Sequence, residues 1–248
     1  MKLTVIGCGD AFGSGGRLQT SYFVESASAR FLIDCGATTV IGCNRLNIDP
    51  NAVPTIFISH LHGDHFAGLV WWLLHAQHIG KRTEPLSVIG PPGIEARFIT
   101  AAEALFPGCT GVPRRYDLHF REYEPGNQAM SVGPVNVTAY EVKHASGAPP
   151  YALRFEFDGQ VLGFTGDTEW VDNLVPAGKN ADLYIMECYQ FDGAPRYHMS
   201  WQTIESKLDE IGARRILLTH MASSMLERRG EVSDPRAIFA EDGLTVRI

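Results

Sequence analysis

The sequence predicts an α/β fold in which two mostly antiparallel β-sheets pack face to face and helices cover their outer faces. Short apolar runs of strand-like composition recur along the chain, and in its middle they alternate with helix-like segments. Several of these runs end at a histidine or an aspartate. Strands that are apolar on both faces need a packing partner on each side, so a layered sandwich accounts for them.

The chain begins with three strand-like runs, KLTVIG, SYFVES and RFLIDCG. Only a few residues separate the second run from the third, which is typical of a β-hairpin. We therefore expect a β-meander at the start of the fold.

The middle of the chain alternates between strands and helices. An apolar helix is expected around Phe66–His78 after the strand TIFISH, and a second helix around Ile94–Phe106 after the strand LSVIG. Strands return at VNVTAYEV, YALRFEF and QVLGFTG. The last third adds a strand ADLYIME, a helix from about Ser200 to Ile211, a strand RRILLTH, a short helix through Met225 and a closing strand LTVRI.

Length and composition favour one domain that spans residues 1–248. Hydrophobic residues make up 45% of the chain, and it has no polar linker, internal repeat or bilayer-spanning apolar run. The formal net charge of −7 disfavours a protein that coats nucleic acid. Five cysteines without a C-x-x-C pair, and an amino terminus without signal-peptide features, favour a water-soluble protein of the reducing cytoplasm.

The segment SHLHGDH carries the strongest chemical pattern in the sequence. Side chains alternate along an extended chain, so His60 and His62 are expected on the same side, where they can share a metal ion. Gly63 permits a sharp turn, after which Asp64 and His65 are expected to face a second ion.

Three further ligand candidates share a position where an apolar strand ends. His144 follows VNVTAYEVK, Asp167 follows QVLGFTG, and His220 follows RRILLT. Imidazole and carboxylate ligands without a thiolate favour zinc, with iron or manganese as alternatives. Asp167 can bridge two ions because it has two oxygens. One ion would be completed by His60, His62 and His144, and the other by Asp64, His65 and His220.

These motifs resemble the motif series of the metallo-β-lactamase superfamily over nearly the whole chain. The resemblance implies a four-layer αββα sandwich of two mixed β-sheets with outer helices, and two divalent metal ions that activate a hydroxide nucleophile. LIDCG, HGDHFAGL, GFTGDT and IMECYQ look most like the ribonuclease Z and small-phosphodiesterase branch. The general acid of that branch is a histidine supported by a carboxylate, matched here by His198 and Glu187. Asp64 completes the expected catalytic set.

The sequence departs from ribonuclease Z in one respect. Ribonuclease Z carries a long arm that clamps transfer RNA, inserted between the third-histidine motif and the bridging aspartate. His144 and Asp167 are only 23 positions apart, which leaves no room for the arm. The expected substrate is therefore a small or cyclic phosphodiester, and nucleic acid and membranes are disfavoured as partners.

Three other functions stay open at this point. They are hydrolysis of a thioester or lactone, processing of the tRNA 3′ end, and a non-catalytic, metal-stabilised binding module. The number of subunits also stays open, with a homodimer among the alternatives. Candidate substrate contacts are Arg114, Arg115, Arg196, Tyr189 and Trp71. Three further histidines, His75, His78 and His119, are expected at the surface or rim.

Overall fold

The computed structural model describes residues 1–193 and 195–248. Its strands are β1 (Lys2–Gly7), β2 (Ser21–Glu25), β3 (Arg30–Ile33), β4 (Thr55–Phe57), β5 (Leu86–Gly90), β6 (Leu118–Glu122), β7 (Ala129–Val132), β8 (Val135–Glu141), β9 (Tyr151–Phe157), β10 (Gln160–Phe164), β11 (Leu183–Glu187), β12 (Ile216–Thr219), β13 (Ala237–Phe239) and β14 (Thr245–Arg247). Its α-helices are α1 (Thr39–Leu46), α2 (Gly63–Phe66), α3 (Gly68–Leu74), α4 (Ile94–Leu105), α5 (Leu174–Gly178), α6 (Trp201–Glu205), α7 (Leu208–Ile211) and α8 (Ser223–Glu227).

The strands form two seven-stranded sheets, with the orders β14-β1-β2-β3-β4-β5-β6 and β13-β12-β11-β10-β9-β8-β7. In the first sheet, pairing is antiparallel from β14 to β3 and parallel from β3 to β6. In the second sheet, pairing is parallel from β13 to β10 and antiparallel from β10 to β7. Both sheets are therefore mixed. The expectation of mostly antiparallel sheets is wrong for half of the pairings, because strands joined by crossover segments run parallel.

The core between the sheets is rich in aromatic side chains. Phe31 and Phe57 of the first sheet meet Phe155 of the second, with ring centroids 5.2 and 5.1 Å from the Phe155 ring. The Tyr22 hydroxyl forms a buried 2.6 Å hydrogen bond with the Thr219 hydroxyl, which links β2 to the end of β12. Aromatic pairs add roughly 0.5–1.5 kcal/mol each beyond the area that they bury. These contacts hold the strand ends of the two sheets beside one another.

Helices cover both outer faces. Cys43 of α1, Trp72 of α3 and Phe98 of α4 pack into the apolar layer over the first sheet. Trp201 of α6 and Met225 of α8 pack into the layer over the second sheet. The four-layer αββα sandwich is confirmed. Within the described residues, no helix is both long and apolar enough to cross a membrane.

The predicted helices differ from the observed ones mainly in continuity. Ala67 keeps helical dihedral angles between α2 and α3, and a π-helical turn over His75–Ile79 follows, so the expected Phe66–His78 helix is one helical segment. The expected Ser200–Ile211 helix is interrupted at Lys207, where φ is −114°. The sequence analysis did not identify α1, α5, β7 and β13, all of them short elements whose stability comes from neighbouring layers.

Candidate metal centre

The segment SHLHGDH leads from the end of β4 into α2. The backbone of His62 is extended, with φ −78° and ψ 151°, and α2 begins at the next residue. The His65 amide donates a hydrogen bond to the His62 carbonyl at 3.0 Å. Gly63 has no positive φ, and an added Cβ would meet only the Ala67 Cβ at 3.8 Å. The turn forms as expected at Gly63, but it does not use the conformational freedom of glycine.

Four strand ends converge on the same edge of the sandwich. The chain reaches His60 beyond β4, His144 beyond β8, Asp167 beyond β10 and His220 directly after β12. His220 has a φ of 56°, a left-handed conformation that residues other than glycine rarely adopt. Its amide donates to the Cys8 carbonyl at 3.0 Å, which ties this unusual backbone to the end of β1.

One group of ligand candidates consists of His60, His62 and His144. One ring nitrogen from each lies within 4.8 Å of the others. Nδ1 of His62 is 2.9 Å from Nε2 of His144, and the centroids of the His60 and His144 rings are 4.9 Å apart. Nε2 of His62 faces the Ala145 carbonyl at 3.0 Å, which fixes the ring so that Nδ1 points into the group.

The second group consists of Asp64, His65, Asp167 and His220, all of them buried. Asp167 is central to it, with carboxylate oxygens 3.2 Å from Nε2 of His65 and 3.2 Å from Nε2 of His220. The same carboxylate lies 3.9 Å from Nε2 of both His60 and His144 in the first group. Asp167 is therefore placed between the two groups.

Three ring nitrogens in this cluster are buried without a hydrogen-bond partner among the described residues: Nδ1 of His220 and the Nε2 atoms of His60 and His65. The opposite nitrogens are held: Nδ1 of His60 lies 3.0 Å from the Ser59 hydroxyl and Nδ1 of His65 lies 2.6 Å from Asp34. An unsatisfied buried polar group costs roughly 1–3 kcal/mol. A divalent cation that takes nitrogen and oxygen ligands would satisfy the Nε2 atoms of His60 and His65, so the residues present fit a metal site.

The electrostatics of the cluster agree with this. Burial lowers the pKa of His60 well below its usual range and that of His144 to about 4, so both rings are neutral at pH 7 with a free lone pair. Burial raises the pKa of Asp167, but the charges of His220 and His65 outweigh it and hold that pKa well below the usual range. Burial lowers the pKa of His65 and His220, but the charge of Asp167 outweighs it, raising that of His65 well above its usual range and that of His220 to about 9. Divalent metals bind neutral imidazoles beside ionised carboxylates, so a bound ion would displace the protons of these two rings.

Asp34 is a functional candidate that the sequence analysis missed. It is fully buried directly after β3, with a φ of 58°. Its carboxylate accepts hydrogen bonds from the amide and the hydroxyl of Ser59, both at 2.7 Å, and faces Nδ1 of His65 at 2.6 Å. The available signal was the same as for the other candidates, because Asp34 follows an apolar strand in RFLIDCG.

His198 and Glu187 form a pair at the rim of the cluster. Nδ1 of His198 lies 2.9 Å from Oε2 of Glu187, which is buried at the end of β11. The ring of His198 stacks on Tyr189 at 4.6 Å and on His220 at 5.5 Å between centroids. Burial lowers the pKa of His198, but the hydrogen bond and charge of Glu187 outweigh it and raise that pKa above its ordinary value. Glu187 therefore favours the protonated form of the ring, and of the two ring nitrogens only Nδ1 has a hydrogen-bond partner among the described residues.

A cleft of about 190 Å³ opens above the cluster. Of the proposed contact residues, Tyr189 lines this cleft and Arg196 lines a neighbouring one. The sequence analysis did not anticipate Asp10, Ala11 and Phe12, which also line the cleft. The other candidates line neither cleft: Trp71, Arg114 and Arg115. Three other histidines were expected at the surface or rim: His78 and His119 are exposed, and His75 is half-buried.

Comparison with known proteins gives relatives over the full length of the chain. The probable metallo-hydrolase YhfI of Bacillus subtilis is 26% identical over 231 residues, which cover 89% of this chain and 87% of the relative. The ribonuclease Z of Haloferax volcanii is 24% identical over 310 alignment positions, which cover 100% of this chain and 95% of the relative.

Solved structures with the same fold cover both chains almost completely. The metallo-β-lactamase fold protein YhfI superposes with a TM-score of 0.78 at 23% identity, over 99% of this chain and 98% of that one. The short form of human tRNase Z superposes with a TM-score of 0.79 at 22% identity, over 100% of this chain and 99% of that one. A diphosphatase of the PhnP family superposes with a TM-score of 0.78 at 17% identity, over 100% of this chain and 97% of that one.

The match to a protein family is equally extensive. Residues 1–245 match the family described as Anti-Pycsar protein Apyc1. The described fold, the His and Asp cluster able to hold metal and the named relatives agree with one another. The chain is thus a metal-dependent hydrolase of the metallo-β-lactamase fold, and it belongs to the Anti-Pycsar protein Apyc1 family.

Proposed function

We propose that this hydrolase is a dinuclear phosphodiesterase that cleaves a small or cyclic phosphodiester, with His198 as the general acid and residues 1–248 acting as one domain. The observation that carries the proposal is the His198–Glu187 pair beside the cluster. One donor atom from each of His144, Asp167 and His198 lies within 4.8 Å of the others, which supports a role for His198 on a molecule bound at the candidate metal centre.

The two groups of ligand candidates support two divalent ions, with zinc as the expected metal. His60, His62 and His144 would hold one ion, Asp64, His65 and His220 the other, and Asp167 would contact both. When bound, such ions polarise a water molecule and neutralise the charge that develops at phosphorus. Asp64 belongs to the proposed catalytic set as a ligand of the second ion, and its Oδ2 lies 3.3 Å from Nε2 of His220, the proposed ligand beside it.

The remaining steps depend on side chains of this chain. Ser59 and Asp34 hold His60 and His65 in one orientation, so the donor atoms need little rearrangement. Glu187 favours the protonated form of His198, and Tyr189 stacks on the His198 ring and limits its rotation. Hydrolysis breaks the bond between phosphorus and the leaving oxygen, and that oxygen takes the proton from Nε2 of His198.

A small substrate is favoured over a transfer-RNA precursor. The cleft over the cluster is about 190 Å³, below the usual range of roughly 300–1,000 Å³ for small-molecule pockets. The alignment with the Haloferax ribonuclease Z spans 310 positions for a chain of 248 residues, so at least 62 positions of that alignment have no counterpart here. Between His144 and Asp167 there is only one loop, β9 and β10.

The decisive experiment compares two phosphodiesters that differ only in their leaving group. The leaving group of methyl 4-nitrophenyl phosphate is a stable anion that needs little protonation. The leaving group of methyl phenyl phosphate is more basic and needs a proton to depart. We expect His198→Ala to reduce turnover of the phenyl ester by about 100-fold or more, and that of the nitrophenyl ester much less. Metal content of the purified variant should equal that of the wild type.

His78→Ala is the matched control, because His78 is exposed on the helical segment after α3. It should leave the turnover of both esters unchanged. Equal losses on both esters in His198→Ala, or loss of metal, would remove the general-acid role. Activity on thioesters or lactones without activity on either phosphodiester would overturn the phosphodiesterase itself, and so would cleavage of precursor tRNA alone.

A further inference from the structure

A second cleft, of about 340 Å³, adjoins the cleft over the metal centre. It is lined by Glu169, Trp170, Pro195, Arg196, His198 and Thr203. His198 lines both clefts, so its ring forms part of the wall between them. A molecule bound at the metal centre can therefore extend past the His198 ring into the second cleft.

The orientation of His198 shows which part of a substrate this would be. Because Nδ1 faces Glu187, Nε2 is the nitrogen that can give a proton to the leaving oxygen. In phosphoryl transfer the attacking oxygen and the leaving oxygen lie on opposite sides of phosphorus, roughly in line. The attacking oxygen comes from the metal cluster, so the leaving oxygen points away from the cluster. The rest of the leaving group must continue beyond His198, on the side of the second cleft.

We infer that Trp170 and Arg196 form the leaving-group subsite of this enzyme; this inference rests on the proposed phosphodiesterase function. Trp170 stacks on an aromatic leaving group whose oxygen His198 protonates, and Arg196 contacts that group once it has ionised after release. The half-buried Trp170 offers an indole ring, and the Lys207 ammonium lies 5.3 Å from its centroid. Aromatic groups such as nucleobases stack on such rings, with gains on the order of tenfold in affinity.

Arg196 supplies the positive charge. In the described part of the chain its exposed guanidinium contacts Tyr197 rather than a carboxylate, with Cζ 4.6 Å above the Tyr197 ring and Nη2 donating to the hydroxyl at 2.7 Å. The nearby Glu169 is already paired with Lys143 at 2.6 Å. The guanidinium is thus free to contact an anion, although the chain as a whole has a net charge of −7.

The loop that carries this subsite is anchored to the metal centre. The carbonyl of Tyr197 faces Nδ1 of His144 at 2.9 Å, and its amide donates to Glu169 at 3.3 Å. Tyr197 has a φ of 65°, a conformation that residues other than glycine rarely adopt. The two hydrogen bonds stabilise this strained backbone conformation. Arg196 and His198 are therefore positioned together relative to the cluster.

The test uses leaving groups of different size with the methyl group kept constant. We expect the wild type to hydrolyse methyl 4-nitro-1-naphthyl phosphate with a kcat/KM about tenfold higher than methyl 4-nitrophenyl phosphate. Trp170→Ala should abolish this preference by lowering the kcat/KM of the naphthyl ester more than that of the nitrophenyl ester. Trp71→Ala is the matched control, a half-buried tryptophan that packs against Phe106 outside both clefts, and it should retain the preference.

A second measurement does not depend on turnover. Binding of the product 4-nitro-1-naphtholate, followed by its absorption, should weaken about tenfold in Trp170→Ala and severalfold in Arg196→Ala. Arg196→Lys should recover part of the loss, and added salt should weaken binding to the wild type more than to Arg196→Ala.

The outcomes separate this inference from the function on which it rests. No hydrolysis of either ester by the wild type overturns both. Hydrolysis of both esters, with a naphthyl preference and product affinity that Trp170→Ala leaves unchanged, overturns the subsite alone. A change in molecular mass in solution caused by Trp170→Ala also overturns it, because the cleft would then be covered by a second copy of the chain.

Discussion

The Asp34 carboxylate accepts a hydrogen bond from Nδ1 of His65 at 2.6 Å and holds that ring with Nε2 directed at Asp167. The same oxygen of Asp34 also accepts the Ser59 hydroxyl at 2.7 Å, and the Ser59 oxygen lies 3.0 Å from Nδ1 of His60. One buried carboxylate therefore orients a ring in each of the two ligand groups. Such outer contacts fix the tautomer and the direction of the donor atom.

Asp34→Asn should weaken metal binding on the order of 10- to 100-fold. Asparagine keeps the size of the side chain but loses the negative charge that faces His65 and one of the acceptor oxygens that bind Ser59. The affinity can be measured by competition with a chromogenic zinc chelator, with circular dichroism to show that the variant is folded.

Asp158→Asn is the control for this substitution. Asp158 also has a positive φ, of 50°, but lies on an exposed turn between β9 and β10. Its substitution should leave zinc affinity unchanged. Equal affinities of Asp34→Asn and the wild type would show that the Asp34 contacts do not orient the ligands.

Gly68→Ala should destabilise the protein by about 1–3 kcal/mol, whereas Gly63→Ala should be tolerated. A Cβ at Gly68 would lie 2.1 Å from the Gly36 carbonyl oxygen, which would push α3 away from the loop after β3. A Cβ at Gly63 meets nothing closer than 3.8 Å. Urea unfolding of both variants measures the difference. Equal stability of the two variants would show that α3 can move without cost.

The positions of strand ends and the close contacts between backbone segments differ in how well they can be predicted from the sequence. The sequence shows SHLHGDH and the strand-end positions of His144, Asp167 and His220, because the apolar run of a strand and the residue that ends it are local features. The close approach of Gly68 to Gly36 could not be predicted, because it depends on how two separate segments of the chain pack against each other. The short elements β7 and β13 were missed for the same reason, since sheet pairing rather than local composition stabilises them.

Glu187→Gln should shift the alkaline limb of the kcat/KM profile to lower pH. Burial alone lowers the pKa of His198, and the hydrogen bond and charge of Glu187 raise it. Loss of the charge therefore lowers that pKa. A general acid acts only while protonated, so activity on methyl phenyl phosphate would fall at a lower pH than in the wild type.

The profile of the nitrophenyl ester is the internal control for this prediction, because its leaving group needs little protonation. Its alkaline limb should move much less. An unchanged profile for the phenyl ester in Glu187→Gln would mean that Glu187 does not set the protonation of His198.

Zinc should stabilise the folded protein, and this effect should separate the ligands from the general acid. At a free zinc concentration 100 times the dissociation constant, each bound ion contributes about 2.7 kcal/mol, or roughly 5–11 °C in Tm for a chain of this size. Asp167→Asn should lose most of the shift, because Asp167 contacts both ligand groups. His198→Ala should keep it, because His198 is held by Glu187 rather than placed among the ligands. Calorimetry of metal-free and zinc-loaded protein measures each shift, and an equal loss in both variants would place His198 among the metal ligands instead.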